Sequence, residues 1–257
     1  TNPLLNRPLD GLYPPGSTYK LVIAGAGLEL GLIDRSTTFS PCTGGYRFGN
    51  RVFGCWYKPG HGKLPVVGSI EQSCDVFFYQ LGYKLGLEEF YRYSTACGFG
   101  RKTGIDLPQE SAGNVPNKAW YDRKIGVGQW TQAVLLNLSI GQGEILSTPL
   151  QLAQFYCGLA NGGTVYRPRL LKSIVGPDGR ETTPGAEFSF KLPFSQSTLE
   201  ILNEGLVAVV HGEHGTARGG GRIRGARVAG KTGTSQNPHG NEHALFVGFA
   251  PADNPEI

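Results

Sequence analysis

The stretch Pro14-Pro15-Gly16-Ser17-Thr18-Tyr19-Lys20 decides how the chain is organised. A rigid turn precedes a serine, and an apolar run begins directly after the lysine, at Leu21. This order predicts a turn that opens a buried helix, which should end near Gly31. Since residues three apart share a helical face, the Ser17 hydroxyl and the Lys20 amine should meet. A desolvated lysine can act as the base that makes a serine nucleophilic.

Composition limits the classes of function that the chain can have. Of its 257 residues, 39% are hydrophobic and 17% are charged, which is typical of a globular protein. The net charge of +4 is mild and no basic block occurs, so nucleic acid is excluded as a partner. No apolar run reaches the roughly 20 residues of a membrane span, and no signal peptide opens the chain. Methionine is missing, so we expect the polypeptide to continue beyond both ends.

Local patterns predict helices first and an antiparallel pair of strands last. The expected further helices cover 69–85, 88–96, 148–160 and 197–210. Loops should dominate 34–64 and 98–130. The expected strands lie in 165–175, 227–234 and 244–250, and the last two should pair across a polar hairpin loop. This order favours an α+β fold with helices packed on a sheet.

A second motif, Ser73-Cys74-Asp75, lies early in a predicted helix and faces a loop. Its serine can relay a proton between a lysine and a leaving group, and the carboxylate can hold that lysine by a hydrogen bond. Taken alone, the triplet is equally consistent with a helix cap. We therefore count Ser73 and Asp75 as candidate catalytic residues only together with Ser17 and Lys20.

A third motif, Lys231-Thr232-Gly233-Thr234, lies on a predicted strand. Lys231 offers a positive charge for a substrate carboxylate and the threonines offer hydroxyls. Gly233 leaves room for a peptide along the strand edge. The amides of Thr234 and Ser17 could form an oxyanion hole. A similar triplet at 102–104 is rejected because the proline and polar residues around it do not predict a long buried strand.

In this order the three motifs resemble the transpeptidase domain of penicillin-binding proteins. The likeness covers nearly the whole chain and extends to the elongation-specific class B subfamily, penicillin-binding protein 2. The stretches that carry it are 4–16, 75–80, 103–108, 137–143, 148–153 and 247–251. Most of the wider superfamily has asparagine where this chain has Asp75, which departs from that pattern but fits the subfamily.

The resemblance implies a fold and a setting. The fold would be an antiparallel β-sheet flanked by helices with an all-helical subdomain, as in serine β-lactamases. Residues 1–257 would form one transpeptidase domain, with the final strand and helix, a pedestal domain and a membrane anchor outside this chain. The domain would lie on the periplasmic side of the bacterial inner membrane. Its partners would be a membrane-embedded glycan polymerase and other proteins of the elongation complex.

The resemblance also implies a reaction, peptidoglycan D,D-transpeptidation. Ser17 would attack the penultimate D-alanine of a stem peptide with Lys20 as base, and D-alanine would leave, protonated through Ser73. An amine of a neighbouring stem would then resolve the acyl-enzyme and form the cross-link. β-Lactams would acylate Ser17, D,D-carboxypeptidase activity is a further expectation, and the chemistry needs no cofactor.

Two other functions fit the same motifs. A serine β-lactamase would need a base for the deacylating water, and no motif supplies one. A β-lactam sensor would be acylated at Ser17 and would signal without turnover. The elongation-type stretches argue against both of these alternatives.

Cys42, Cys55, His61 and Cys74 form a series whose ligand types suit a tetrahedral structural zinc. The glycine-rich loop 41–64 has little apolar material to hold it, and some sequences of the subfamily place Asp or Cys and His ligands at these positions. The alternatives are a Cys42–Cys55 disulfide or free thiols. The two other cysteines, Cys97 and Cys157, lie in apolar helical patterns and are predicted to be core thiols.

Overall fold

The structure, a computed structural model, describes residues 4–235 and 240–257. A 3-10 turn over Gly16–Tyr19 precedes the second helix. The helices are α1 (Arg7–Asp10), α2 (Lys20–Glu29), α3 (Val66–Glu71), α4 (Asp75–Ala96), α5 (Lys118–Lys124), α6 (Val134–Ser139), α7 (Pro149–Ala160) and α8 (Gln196–His211). The strands are β1 (Gly45–Phe48), β2 (Arg51–Gly54), β3 (Thr164–Tyr166), β4 (Ile174–Val175), β5 (Glu181–Thr182), β6 (Phe188–Lys191), β7 (Ala229–Ser235) and β8 (His243–Phe249).

Strands β7 and β8 pair antiparallel, in a register that runs from Ala229 opposite Phe249 to Ser235 opposite His243. Helix α8 packs on β7 and α7 packs on β8. Both strands lie within two residues of their predicted positions, and residues 236–239 of the predicted hairpin loop lie outside the described residues. Helices on an antiparallel pair confirm the predicted α+β class.

Helix α2 is the central helix of the core. Its residues from Lys20 to Gly27 are all buried, and its neighbours include α4 and α8. A helix that is apolar on every side is stable only where other elements surround it. The predicted extent is confirmed, since the helix ends at Glu29, two residues before Gly31.

The helix predicted over 69–85 is wrong in one respect, because the chain breaks between α3 and α4. Ser73 lies at the break with a φ of 53°, in the left-handed region that a residue with a side chain rarely adopts. The two helices predicted on either side of Gly86 are instead assigned as one, α4, with a kink at that glycine, whose φ is 78°.

The β1–β2 hairpin and α5 arise where loop was predicted, and α6 lies in a segment for which no element was predicted. Helix α5 begins at Asn117, whose side chain accepts a hydrogen bond from the Trp120 amide, a local cap that the loop prediction overlooked. The prediction for Cys157 is also wrong, because this residue is exposed together with Ala153 on the outer side of α7. Cys97 is buried as predicted.

Loop 103–110 is held by Glu110, a buried carboxylate. Glu110 accepts hydrogen bonds from the amides of Thr103, at 2.7 Å, and Gly104, at 3.1 Å. Thr103 therefore lies in a loop and not in a strand. This agrees with the decision not to count the triplet 102–104 as the third motif. None of the described helices is long and apolar enough to span a membrane.

Candidate active site and a cysteine–histidine cluster

The 3-10 turn that carries Ser17 is fixed from three directions. The Gly16 amide donates to the Gly141 carbonyl at 2.8 Å, and the Thr18 hydroxyl donates to the Pro15 carbonyl at 2.6 Å. From α7, the Tyr156 hydroxyl donates to the Thr18 carbonyl at 2.9 Å. These bonds hold the Ser17 backbone at the floor of a cleft that Ser17 itself lines.

Lys20 lies one helical turn after Ser17 and is completely buried. Its Nζ atom is 2.7 Å from Asp75 Oδ1 and 3.1 Å from Ser73 Oγ. It also donates to the Ser73 carbonyl at 2.9 Å. The first and second motifs, predicted separately, therefore meet at a single amine. The left-handed backbone of Ser73 lets both its carbonyl and its hydroxyl face Lys20, a type of local strain that clusters at functional sites.

The third motif forms the opposite wall of the cleft. Thr232, Gly233 and Thr234 line it, whereas Lys231 is fully buried beneath and does not. Burial lowers the pKa of Lys231 well below its usual value; the nearby charge of Lys20 lowers it further and Asp75 opposes both. The Lys231 amine donates to the Thr232 carbonyl at 3.1 Å.

The turn and β7 approach each other closely because both carry glycine. A Cβ atom on Gly16, whose φ is +57°, would lie 2.5 Å from the Thr234 carbonyl oxygen. A Cβ atom on Gly233 would lie 2.9 Å from Thr18 Cγ2. Real Cβ atoms do not approach this closely, so the shape of this wall depends on glycine at both positions.

Between these walls lies an open cleft with a volume of about 920 Å³. Ser17, Ser73, Asp75 and the residues from Thr232 to Thr234 all line it. The predicted catalytic and substrate-binding residues are thus brought together, except that the two buried lysines lie behind the cleft surface.

Two cleft residues received no role from the sequence. The Thr216 and Thr232 hydroxyls share a hydrogen bond of 2.7 Å, and Gln142 Nε2 donates to the Thr234 carbonyl at 2.9 Å. Gln142 lies in the stretch 137–143 that carried part of the resemblance, so a signal for it was available. Thr216 follows a glycine-rich turn, and only the folded contact with β7 singles it out.

The predicted metal ligands converge on one point. One ligand atom from each of Cys42, Cys55, His61 and Cys74 lies within 4.8 Å of all the others. His61 Nδ1 is 3.6 Å from Cys42 Sγ and 3.5 Å from Cys55 Sγ. A tetrahedral zinc with bonds of about 2.3 Å to sulfur and about 2.0 Å to nitrogen separates those two ligand atoms by about 3.5 Å. The residues present therefore fit zinc.

The chemistry of the cluster agrees with its geometry. A hydrogen bond from Cys74 lowers the pKa of Cys55 to about 5, and the same bond raises the pKa of Cys74. A thiolate therefore forms readily here, which is the form that binds metal. All five cysteines are free, so the structure does not contain the alternative Cys42–Cys55 disulfide.

The cluster is connected to the catalytic lysine through two short links. Cys74 stands between Ser73 and Asp75 in the chain, and Trp56 follows Cys55. The Trp56 amide donates to Asp75 Oδ2 at 3.0 Å, while the other oxygen of the same carboxylate contacts Lys20. Asp75 thus joins the cysteine–histidine loop to the candidate base.

Comparison with known proteins identifies the family of this chain. The family model "Penicillin binding protein transpeptidase domain" matches residues 1–257. The chain belongs to the penicillin-binding protein transpeptidase family. This confirms the predicted fold, in which helices flank the antiparallel pair of a penicillin-binding-protein transpeptidase.

Curated relatives of this transpeptidase domain include two proteins named peptidoglycan D,D-transpeptidase MrdA. The one from Acinetobacter baumannii is 36% identical over 99% of this chain and 40% of its own length. The one from Escherichia coli K12 is 33% identical over 99% of this chain and 43% of its own length. The chain therefore spans about two fifths of these relatives.

Solved structures show the same likeness to penicillin-binding protein 2. The Pseudomonas aeruginosa protein, in complex with WCK 5153, is 38% identical with a TM-score of 0.86, and the match covers 99% of this chain and 55% of that one. The Helicobacter pylori protein, in complex with MreC, is 32% identical with a TM-score of 0.85, over 99% of this chain and 46% of that one. The predicted resemblance to the penicillin-binding protein 2 subfamily is thereby confirmed.

Proposed function

We propose that this domain catalyses peptidoglycan D,D-transpeptidation, with Ser17 as the nucleophile. The observation that carries the proposal is the convergence of Ser73 Oγ and Asp75 Oδ1 on the buried amine of Lys20, one helical turn from a cleft-lining serine. A buried amine with a hydroxyl and a carboxylate as partners is suited to move a proton. The family match supports the same assignment.

In the proposed reaction, the amine of Lys20 in its neutral form accepts the Ser17 proton. The Ser17 oxygen forms an ester with the penultimate residue of a D-Ala-D-Ala end, and the amide bond to the terminal D-alanine breaks. The leaving nitrogen takes its proton from Ser73, which is replenished by Lys20. An amine of a second stem peptide then displaces Ser17 from the ester and restores the enzyme.

The free edge of β7 supports the binding of an extended peptide. In a strand, the amide and the carbonyl of one residue point to the same side. The Thr234 carbonyl points away from β8 to Gln142, so its amide also points to the side where Gly16 and Ser17 lie. That amide and the Ser17 amide are the proposed oxyanion hole. Since Lys231 is buried, we assign the substrate carboxylate to the hydroxyls of Thr216 and Thr232.

The test is a labelled penicillin, which mimics the D-Ala-D-Ala end. We expect one stable adduct that peptide mapping places on Ser17, and complete loss of labelling in Ser17→Ala with an unchanged melting temperature. Retention of the label in that variant would refute the assignment. Rapid hydrolysis of the penicillin would indicate a β-lactamase, and stable labelling without cross-linking of stem peptides would indicate a sensor.

We also propose that the Cys42, Cys55, His61 and Cys74 cluster binds a structural zinc ion. The metal would supply a cross-link for the 41–64 loop and no chemistry in the reaction. We expect about one equivalent of zinc per chain in purified protein, and little in a variant with Cys55→Ser and His61→Ala. Full-length protein that lacks zinc and contains a Cys42–Cys55 disulfide would contradict this proposal.

The setting of the whole protein is proposed from its relatives. A Helicobacter pylori relative forms a complex with MreC, and another structural neighbour belongs to a peptidoglycan synthase complex. We propose that this protein likewise works in the cell-elongation complex on the periplasmic side of the inner membrane, beside a glycan polymerase. Co-purification of the full-length protein with a polymerase of that complex is the expected result.

A further inference from the structure

The loop that follows α6 lines a part of the cleft that the proposed reaction does not use. The cleft is also lined by β7 and by the β1–β2 hairpin with the segment after it, through residues such as Thr234, Arg51 and Lys58. The loop contributes Gln142, whose side chain is half-buried. Its Nε2 atom donates to the Thr234 carbonyl at 2.9 Å. This side chain therefore occupies an acceptor on the free edge of β7, where the extended peptide is proposed to bind.

The backbone around Gln142 is fixed, whereas the end of its side chain is held by that one bond to β7. The Gln142 amide donates to the Asn137 carbonyl at 3.0 Å, and the Gly141 carbonyl accepts from the Gly16 amide at 2.8 Å. A Cβ atom on Gly141, whose φ is +70°, would lie 2.2 Å from the Gly16 carbonyl oxygen. The loop is thus packed on the turn that carries Ser17, and the Gln142 side chain reaches from this fixed base to the strand.

The hydrogen bond from Gln142 is not what holds β7 against the turn. The turn and the strand already touch, since a Cβ atom on Gly16 would lie 2.5 Å from the Thr234 carbonyl oxygen. Strand β7 is also paired with β8 from Ala229 to Ser235. A single hydrogen bond from a side chain contributes about fivefold to an equilibrium constant. A bond of this strength is readily exchanged for another on the same acceptor.

The geometry of strand pairing indicates which group can replace the Gln142 amide. In a hydrogen-bonded antiparallel pair, two residues exchange both bonds, so each amide donates to the carbonyl of the other residue. In the proposed reaction, the Thr234 amide binds the reacting carbonyl of the penultimate D-alanine. The amide of this same D-alanine then reaches the Thr234 carbonyl. Gln142 Nε2 and the substrate amide therefore compete for one oxygen atom.

We propose that Gln142 is a displaceable cap, which occupies the Thr234 carbonyl until the backbone amide of the acyl donor replaces it. The inference rests on the proposed function, because it concerns the same peptide and the same oxyanion hole. The cap satisfies a carbonyl on a strand edge that is otherwise open to any extended chain. It also makes acylation selective, because only a donor with an N–H group at this position restores the hydrogen bond that it displaces.

The experiment measures the second-order rate constant for acylation of Ser17 in the full-length protein by two matched penicillins. One joins its side chain to the ring system through an amide N–H, and the other through an ester oxygen, which has no hydrogen to donate. Gln142→Met keeps the length of the side chain and removes the donor. We expect this variant to react about fivefold faster with the amide penicillin, because the cap no longer competes. Its rate with the ester penicillin should stay within about twofold of the wild type.

Gln132→Met is the matched control, because Gln132 is an exposed glutamine just before α6 that does not line the cleft. It should react with both penicillins at the wild-type rate. Slower reaction of Gln142→Met with both penicillins would mean that Gln142 positions β7, and would overturn the cap. An equal gain with both penicillins, or no change with either, would also overturn it, because neither result depends on the N–H group.

Mapping the adduct in the same preparations separates the two proposals. An adduct on Ser17 in both the wild type and Gln142→Met shows that the nucleophile is intact, so unchanged rates would then refute the cap alone. Absence of an adduct in the wild type would refute the proposed function, and with it the inference that depends on it. A crystal structure of the amide adduct should show Gln142 away from the Thr234 carbonyl, and persistence of that hydrogen bond would contradict the exchange.

Discussion

The two walls of the cleft are held in different ways. The wall formed by β7 and the 3-10 turn depends on backbone contacts and on glycine, with Gly16 packed against the Thr234 carbonyl. The wall formed by the β1–β2 hairpin depends on side-chain chemistry, namely the cysteine–histidine cluster and the contact of the Trp56 amide with Asp75. The first wall should respond to added volume, and the second to reagents that attack thiols or remove metal.

The same contrast applies to the two buried lysines. Lys20 has a carboxylate at 2.7 Å, and the same carboxylate reaches the hairpin wall through Trp56. Lys231 belongs to β7, its side chain is buried, and its amine donates to the backbone carbonyl of Thr232. A neutral carbonyl offsets the desolvation of the Lys231 amine less than a carboxylate would, in line with the lowered pKa of Lys231.

The largest effect should come from adding a methyl group at the first wall. Gly16→Ala would place a Cβ atom 2.5 Å from the Thr234 carbonyl oxygen, so the turn and β7 must separate. A misplacement of about 1 Å at a reacting group costs about 100-fold in rate. We therefore expect penicillin acylation of Ser17, measured by stopped-flow or gel labelling, to slow by at least about that factor.

Gly31→Ala is the matched control for this prediction. Gly31 has a φ of +64°, close to that of Gly16, but no atom lies within 4 Å of its added Cβ. The variant should lose about 1–2 kcal/mol of stability from backbone strain and acylate at the wild-type rate. Equal loss of acylation in both variants would show that backbone strain, and not the contact of Gly16 with β7, accounts for the slower acylation.

An intermediate effect should follow removal of the proposed zinc ion from the second wall. The cluster positions Trp56, whose amide bonds Asp75, so its loss should loosen the carboxylate that holds Lys20. Loss of groups that orient a site in this way costs about 10- to 100-fold in activity. We expect a chelator to lower the melting temperature and to slow acylation by about tenfold.

His61→Ala should reproduce the effect of the chelator, and the chelator should not affect this variant further. Cys157→Ser is the control, since Cys157 is an exposed thiol outside the cluster. A zinc-depleted protein that acylates at the full rate would show that the two walls are independent.

The smallest expected effect is a change in how the stability of the protein depends on pH. The pKa of Lys231 is lowered in the folded protein, so between its folded and unfolded pKa values the unfolded state binds more protons. Stability of the wild type should therefore rise with pH across that window. Lys231→Met removes the cost of burying this amine, and each tenfold loss of its proton affinity on folding corresponds to about 1.4 kcal/mol of stability.

We expect melting temperatures to favour Lys231→Met near neutral pH, with the difference shrinking toward pH values of about 10. Lys172→Met, at an exposed position, should give no difference that varies with pH. A wild type more stable than Lys231→Met throughout that range would mean that contacts of the Lys231 side chain outweigh the cost of its burial.

Sequence patterns predicted the parts of the fold that local chemistry controls. The helix after Ser17, the capped helix that begins at Thr148, and the final strand pair all lie close to their predicted bounds. The break at Ser73 was not predicted, because an apolar helical pattern runs across it. A left-handed serine is tolerated there because its carbonyl and hydroxyl contact Lys20, a residue distant in the chain.

The β1–β2 hairpin and the position of Cys157 show the same limit. The hairpin has too little apolar alternation to be recognised, and it is held by the cluster and by the bond from the Tyr79 hydroxyl to the Gly54 carbonyl. Cys157 has an apolar pattern around it, but α7 turns that position outward. Which side of a helix faces the core is settled by its neighbours and not by the helix itself.

The sequence by itself determined the three motifs, the helix that carries Ser17 and Lys20, and the residues of the cysteine–histidine series. These follow from local spacing, turn chemistry and ligand type, which act over a few residues. Only the tertiary structure decided that Ser73 and Asp75 both contact the buried amine of Lys20, and that Lys231 lies behind the cleft. It also decided that Arg51 and Lys58 line the same cleft. Such contacts join segments far apart in the chain, and packing and burial select them only once the whole domain has folded.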